Sequence, residues 1–168
     1  MKDDSLERAL QDCSLHALLI ICSKVLTRSG FGDVQILGRR QSRQKSRYGG
    51  YELVCQTNLG FLPVRMIVKV VRDTVRTRML DELAGATVRS SADFGLIITP
   101  YHLTKKAVKH KESYTNVRIE ALEGAALSEL LQRYGFGATL TGKADAAFFK
   151  SLEESAASFM PYILKNRI

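Results

Sequence analysis

The sequence predicts an α/β fold: a central mixed β-sheet, a hairpin first and parallel strands after it, flanked by helices. Three observations predict it. An apolar helical period opens the chain over residues 5–28. Two strand-like runs, 51–57 and 64–71, are joined by a short turn and read as a hairpin. A helical stretch at 77–91 then leads into "FGLIIT", 94–99, a continuous apolar run of the kind a strand covered on both faces shows. Strand, helix and buried strand make a βαβ unit, with a parallel pair and a right-handed crossover.

The elements follow in order. Leu6, Leu10, Cys13, Ala17, Ile20 or Ile21 and Val25 recur near a 3.6 period, so one helix over 5–28 is expected, stopped by Gly30. Asp33 to Leu37 is a short strand. "GRRQSRQKSRYGG" is polar, basic and bounded by glycine, and reads as a loop. In the hairpin, Leu53 and Cys55 point one way and Glu52, Val54 and Gln56 the other, while Arg65, Ile67 and Lys69 share a face. If the hairpin centre lies between Gly60 and Phe61, Glu52 falls opposite Lys69, Val54 opposite Ile67 and Gln56 opposite Arg65. A one-residue slip would break that pairing.

Helix 77–91 carries Leu80, Leu83, Ala84 and Val88 on one stripe. Leu103 to Lys111 is a short helix capped by Thr104. "NVRIEAL" is a strand, and Ala125 to Tyr134 is a helix stopped by Gly135. "GFGATLTGKAD" reads as a linker. Residues 144–164 form an amphipathic helix as far as Pro161, a peripheral addition. The expected organisation is an α/β domain over 1–136, with the linker and C-terminal helix, 137–168, packed on it or extending it.

Composition narrows the function classes. A chain of 168 residues with 45% hydrophobic content is one ordinary globular domain. No run approaches the roughly 18 apolar residues of a membrane span, so no membrane partner is expected. "MKDDSLERAL" is too acidic and polar for a secretory signal. Cys13, Cys22 and Cys55 are odd in number and form no CxxC, which suits buried free thiols and a cytoplasmic location. Cys13 and Cys22, nine apart, should not share a helix face.

The net charge of +8 is concentrated. Arg39, Arg40, Arg43, Lys45 and Arg47 occur with no acid between Val34 and Tyr51. Arg65, Lys69, Arg72, Arg76 and Arg78 face only Asp73 in their stretch. Lys105, Lys106, Lys109 and Lys111 form a third cluster. Such clusters suit a polyanion, and nucleic acid first. Phosphate contacts from Arg39 to Arg47, Lys105 and Lys106 would supply affinity without reading sequence. His102 and His110 show no partner arrangement.

"GFGDVQI", "RYGGYEL", "IVK", "LAGA", "GLIITP", "LTKKAV" and "LEGAALSELL" occur in that order. The ordered set, over residues 15–134, resembles the Mrr-type branch of the PD-(D/E)xK nuclease superfamily. The resemblance implies a restriction-endonuclease-like fold, DNA as partner and, by analogy, a homodimer. It also implies a catalytic centre in which the family's aspartate falls on Glu52, a metal ligand, and its lysine on Lys69. The glutamine of the family's second motif falls on Ile67, and the earlier aspartate on Tyr48. The family's helix acid would lie near Ile20, where no carboxylate stands, and His16 cannot replace a hard oxygen ligand.

Those departures matter chemically. Phosphodiester hydrolysis needs a hard cation to polarise the phosphoryl oxygen and acidify a water. Mg²⁺ takes oxygen ligands, often one or two carboxylates with waters and substrate phosphate. Mg²⁺ is therefore the expected cofactor if the centre is active, and none otherwise. The favoured expectation is a DNA-binding domain with weak or lost hydrolysis. The alternatives are an active Mg²⁺-dependent endonuclease built on Glu52 and Lys69, and a protein-interaction module using Phe148, Phe149, Leu152 and Phe159. Glu52 and Lys69 also have a simpler reading, a cross-strand ion pair worth roughly 0.2–1 kcal/mol.

Overall fold

Helix α1, Leu6–Asp12, and helix α2, Leu15–Arg28, occupy the stretch expected to be one helix. The break has a local cause. Ser14 adopts an extended backbone, and its side-chain oxygen accepts a hydrogen bond from Ala17 N–H, so it caps a new helix. Ser14 N–H itself donates to the Glu153 carboxylate from the far end of the chain. The computed structural model describes residues 5–36 and 52–165, with side chains through Ser158. The basic loop residues Arg39, Arg40, Arg43, Lys45 and Arg47, with Tyr48, lie outside the described residues.

The sheet has strand order β1-β2-β3-β4-β5: Gly32–Ile36, Leu53–Leu59, Leu62–Val70, Phe94–Ile98 and Arg118–Leu122. The first three strands are antiparallel, and β4 and β5 add in parallel. The register of the hairpin is the expected one, with Val54 opposite Ile67 and Gln56 opposite Arg65. Its turn is tighter than expected, only Gly60 and Phe61. Gly60, at φ 62, supplies the positive φ that a two-residue turn of type II′ needs at its first central position.

Helix α3, Thr77–Arg89, crosses over from β3 to β4 and makes the parallel pair possible. Helix α4, Lys105–Glu112, capped by Thr104, and helix α5, Gly124–Tyr134, ended by a left-handed Gly135, follow β4 and β5. Alternation along the strands splits the apolar residues into two cores. Leu53, Cys55, Met66, Val68, Val70 and Ile98 face α1, α2 and α5. Ile67, Ile97 and Ile119 face α3 and α4. The result is a helix–sheet–helix sandwich.

Three expectations change here. Val88 is exposed, while Ala86 and Thr87 are buried, because α3 is rotated to seat Leu80 and Leu83 on the sheet. Cys13 and Cys22 do share a core, because the break at Ser14 resets the helical phase between them. The C-terminal helix α6, Ala146–Lys165, runs past Pro161 and is not peripheral. Leu152 and Ala156 join the larger core, with Phe148 and Phe149 packed against it. The segment before α6 is structured, with Ala138 bridged to Ala144 and Ser5 to Lys143. No helix among the described residues is long and apolar enough to cross a membrane.

Candidate active site

Strand β3 leaves the core at Val70, and its carboxyl end opens into a cleft of about 620 Å³ between α2 and α3. Leu15, Lys69, Arg72, Arg78, Met79 and Glu82 line it. The strand's alternation turns Ile67 and Lys69 to the same side, toward α3. Ile67 is wholly buried beneath that helix, and Lys69, one step nearer the end, reaches the cleft with its side chain 13% exposed.

Helix α3 is clamped by Leu80 and Leu83, both fully buried. That clamp sets Glu82 beside Lys69, Nζ to Oε2 at 3.5 Å, and beside Arg78, Nε to Oε1 at 3.2 Å. Arg72 donates through Nη2 to the Gln11 carbonyl at 3.3 Å, tying the cleft's edge to α1. Lys69, Arg72 and Arg78 therefore stand against Glu82 as the one acid among the residues lining the cleft, which favours an anionic occupant.

Glu52 lies just before β2. Its backbone N–H donates to Val68 O at 2.8 Å, and its Oε2 accepts from Val70 N–H at 2.8 Å. The carboxylate thus extends the β2–β3 ladder one step past its backbone end, a charge-assisted bond that satisfies a strand-end amide. Its charge reaches α2: burial, then Cys13 and Glu52, push the Cys22 thiol well above its ordinary pKa. Glu52 and Lys69 both stand at the end of β3, Glu52 through its bond to Val70's amide and Lys69 as the residue before it.

Lys105 and Lys106 are exposed in the first turn of α4. That turn follows the carboxyl end of β4 and is tied to the cleft's edge by the Val75–Leu103 bridge. His110 does have a partner: its Nε2 lies 2.7 Å from Asp81 Oδ1, which also accepts from Tyr114 Oη at 2.7 Å. These hydrogen bonds hold the Asp81 carboxyl below the usual carboxylate range and clasp α3 to α4. Sequence reading missed Glu82 as a site residue. Its spacing from Arg78, i to i+4 on an amphipathic helix, was the only local signal.

A family model described as restriction endonuclease, of the Mrr catalytic type, matches residues 10–131. The chain belongs to the Mrr-type restriction endonuclease family. Two solved structures share the fold. The MspJI restriction endonuclease, in complex with a 27-mer oligonucleotide, is 17% identical with a TM-score of 0.56, over 85% of this chain and 32% of that one. The DNA modification-dependent restriction endonuclease AspBHI is 12% identical with a TM-score of 0.55, over 93% of this chain and 40% of that one. The chain thus spans about a third to two fifths of the length of these neighbours. A comparison with curated proteins found no match.

Mrr-type domains generally use Mg²⁺. Glu52 carries a carboxylate at the end of β3, where its Oε2 accepts from Val70 N–H. Ile67 offers no oxygen, and neither does Ile20 on α2. No group of three or more His, Cys, Asp or Glu among the described residues could hold a metal ion. A cation here would have to draw on one or two carboxylates, with water and phosphate completing its shell, an arrangement Mg²⁺ accepts.

Proposed function

We propose that this Mrr-type domain binds DNA through the phosphodiester backbone, with weak or lost hydrolysis by the family's own ligand set. The observation that carries the proposal is the cleft at the end of β3, where Lys69, Arg72 and Arg78 converge. Lys105 and Lys106, and the basic residues Arg39 to Arg47, would extend the grip along the backbone. The structural neighbour MspJI was solved with an oligonucleotide, which supports DNA as the partner. Weak hydrolysis follows from Ile67, an apolar residue sealed in the core at a position where the family carries a polar one.

One observation favours a second reading, an active Mg²⁺-dependent endonuclease. Lys69 keeps a carboxylate neighbour in Glu82 and stands close to Glu52 along the strand end, so a lysine with acids survives in rearranged form. In such a centre Lys69 would hold a water or offset developing charge on the phosphoryl oxygens.

Binding of a labelled duplex, measured by anisotropy in EDTA over a salt series, tests the first reading. About six phosphate contacts would give a logarithmic slope near −5 and cost roughly 10³ in affinity between 50 and 200 mM salt. Undetectable or salt-insensitive binding would refute it. Metal-dependent cleavage that vanishes on Glu52→Ala and on Lys69→Ala would establish the second.

A further inference from the structure

The cleft at the end of β3 offers more apolar surface than phosphate contact alone can use. We infer that it takes a single unstacked nucleotide of a DNA strand, its base against the apolar lining and its phosphate on the basic side chains, a reading that rests on the cleft being the DNA-phosphate site.

Leu15, Val70, Val71 and Met79 line the cleft beside its charged residues. Leu15 is the first residue of α2 and is 38% exposed. Met79 comes from α3, and Val71 follows the end of β3, both only partly covered by the smaller core. Three separate elements thus turn apolar surface toward one concavity. A lone exposed leucine needs no explanation, but apolar side chains converging with a few charged ones are the usual make-up of a ligand site. The volume of about 620 Å³ also lies within the roughly 300–1,000 Å³ of such sites.

A paired duplex presents phosphate and sugar and keeps its bases stacked inside. It would meet the cations and leave Leu15 and Met79 in water. An unstacked nucleotide joins an apolar base face to an anion, and the lining supplies a partner for each. Arg72 and Arg78 are exposed at the cleft and can turn to phosphate, while Lys69 lies deeper. The lining holds no aromatic ring, so the base would lie on aliphatic and thioether surface. Glu82, the one acid there, is engaged by Lys69 and Arg78, which leaves little to read a base edge. The site should therefore accept any base. It should select a nucleotide already out of the stack, because extruding a paired one costs unstacking energy.

The test is anisotropy in EDTA with three labelled duplexes: fully paired, with a one-nucleotide bulge, and with the same bulge lacking its base. The bulged duplex should bind about tenfold tighter than the paired one, in the lower part of the range for one stacked base. The abasic bulge, which keeps the charge, should lose that advantage. All three should share one salt slope, since the phosphate contacts are the same. Leu15→Ala removes apolar surface from one wall and should cut the bulge advantage to about threefold or less, while Leu15→Met should keep it. Equal binding of bulged and paired duplexes, an advantage that the abasic bulge retains, or one that survives Leu15→Ala overturns the nucleotide pocket and leaves the phosphate cleft standing. Displacement of the bulged duplex by an equal concentration of thymidine monophosphate would make a free nucleotide the occupant and overturn the strand assignment. Undetectable or salt-insensitive binding of all three duplexes overturns the cleft reading, and this inference falls with it.

Discussion

Leu152→Ala should cost the fold about 2–3.5 kcal/mol, the lower part of the range for burying-site leucine truncations. Leu152 is 5% exposed and packs in the larger core with the apolar face of α2, one turn from Ala156 at 2%. The truncation removes three carbons' worth of transfer energy and leaves a void. The void lies under a surface helix, which can settle partway into it, and that places the cost below the upper end of the range. For a chain of 168 residues the loss should lower Tm by about 3 °C per kcal/mol. Urea unfolding followed by circular dichroism gives the number directly, with the m-value unchanged if only stability has moved. Glu154→Ala, exposed on the same helix, should stay within about 0.5 kcal/mol of wild type. A Leu152→Ala cost below about 1 kcal/mol would refute the reasoning. It would show that α6 is not part of the core, and would return its apolar residues to the account as a surface for a partner.

Two further outcomes follow. A Cβ at Gly95 would fall 2.5 Å from Thr87 Oγ1 and 2.7 Å from Ile119 Cδ1, so Gly95→Ala should destabilise by about 1–3 kcal/mol in the same urea assay, and a neutral change would contradict the close approach of α3 to β4. Burial pushes the Cys13 and Cys55 thiols up to about 11, and Cys22 higher still, so each stays protonated in the native chain at pH 8. Thiol labelling at that pH should therefore wait for unfolding. Stability should decline as pH rises from the ordinary 9.0 toward about 11, where the unfolded chain releases thiol protons that the native chain retains. Prompt labelling of the folded protein would show an opening that the packing does not contain.

The hairpin, the buried strand and the caps were all legible in the sequence because each is encoded within a few residues. Alternation and Gly60 set the register that places Val54 opposite Ile67. "FGLIIT" announced β4, Thr104 announced α4, and Gly135 announced the end of α5. Lys69, which lines the cleft, could be placed on its strand for the same reason. The break at Ser14 was written in a residue type that caps helices, but the apolar period running through it concealed the signal.

Other features belonged to the tertiary structure alone. Glu52 bonds the Val70 amide rather than simply facing Lys69, because β2 begins at Leu53, one step too late to satisfy that amide with backbone. Val88 is exposed and Leu152 buried because rigid packing chooses the rotation of a helix, and several rotations serve an amphipathic pattern about equally well. Glu82 meets Lys69 only because a crossover helix lands on the sheet at one position, set by Leu80 and Leu83 far from either charge. The sequence by itself determined most of the elements, their order and the family, since these are local and periodic; the break between α1 and α2 was the exception. The tertiary structure decided which charges share the cleft, since that depends on how two distant surfaces lock together.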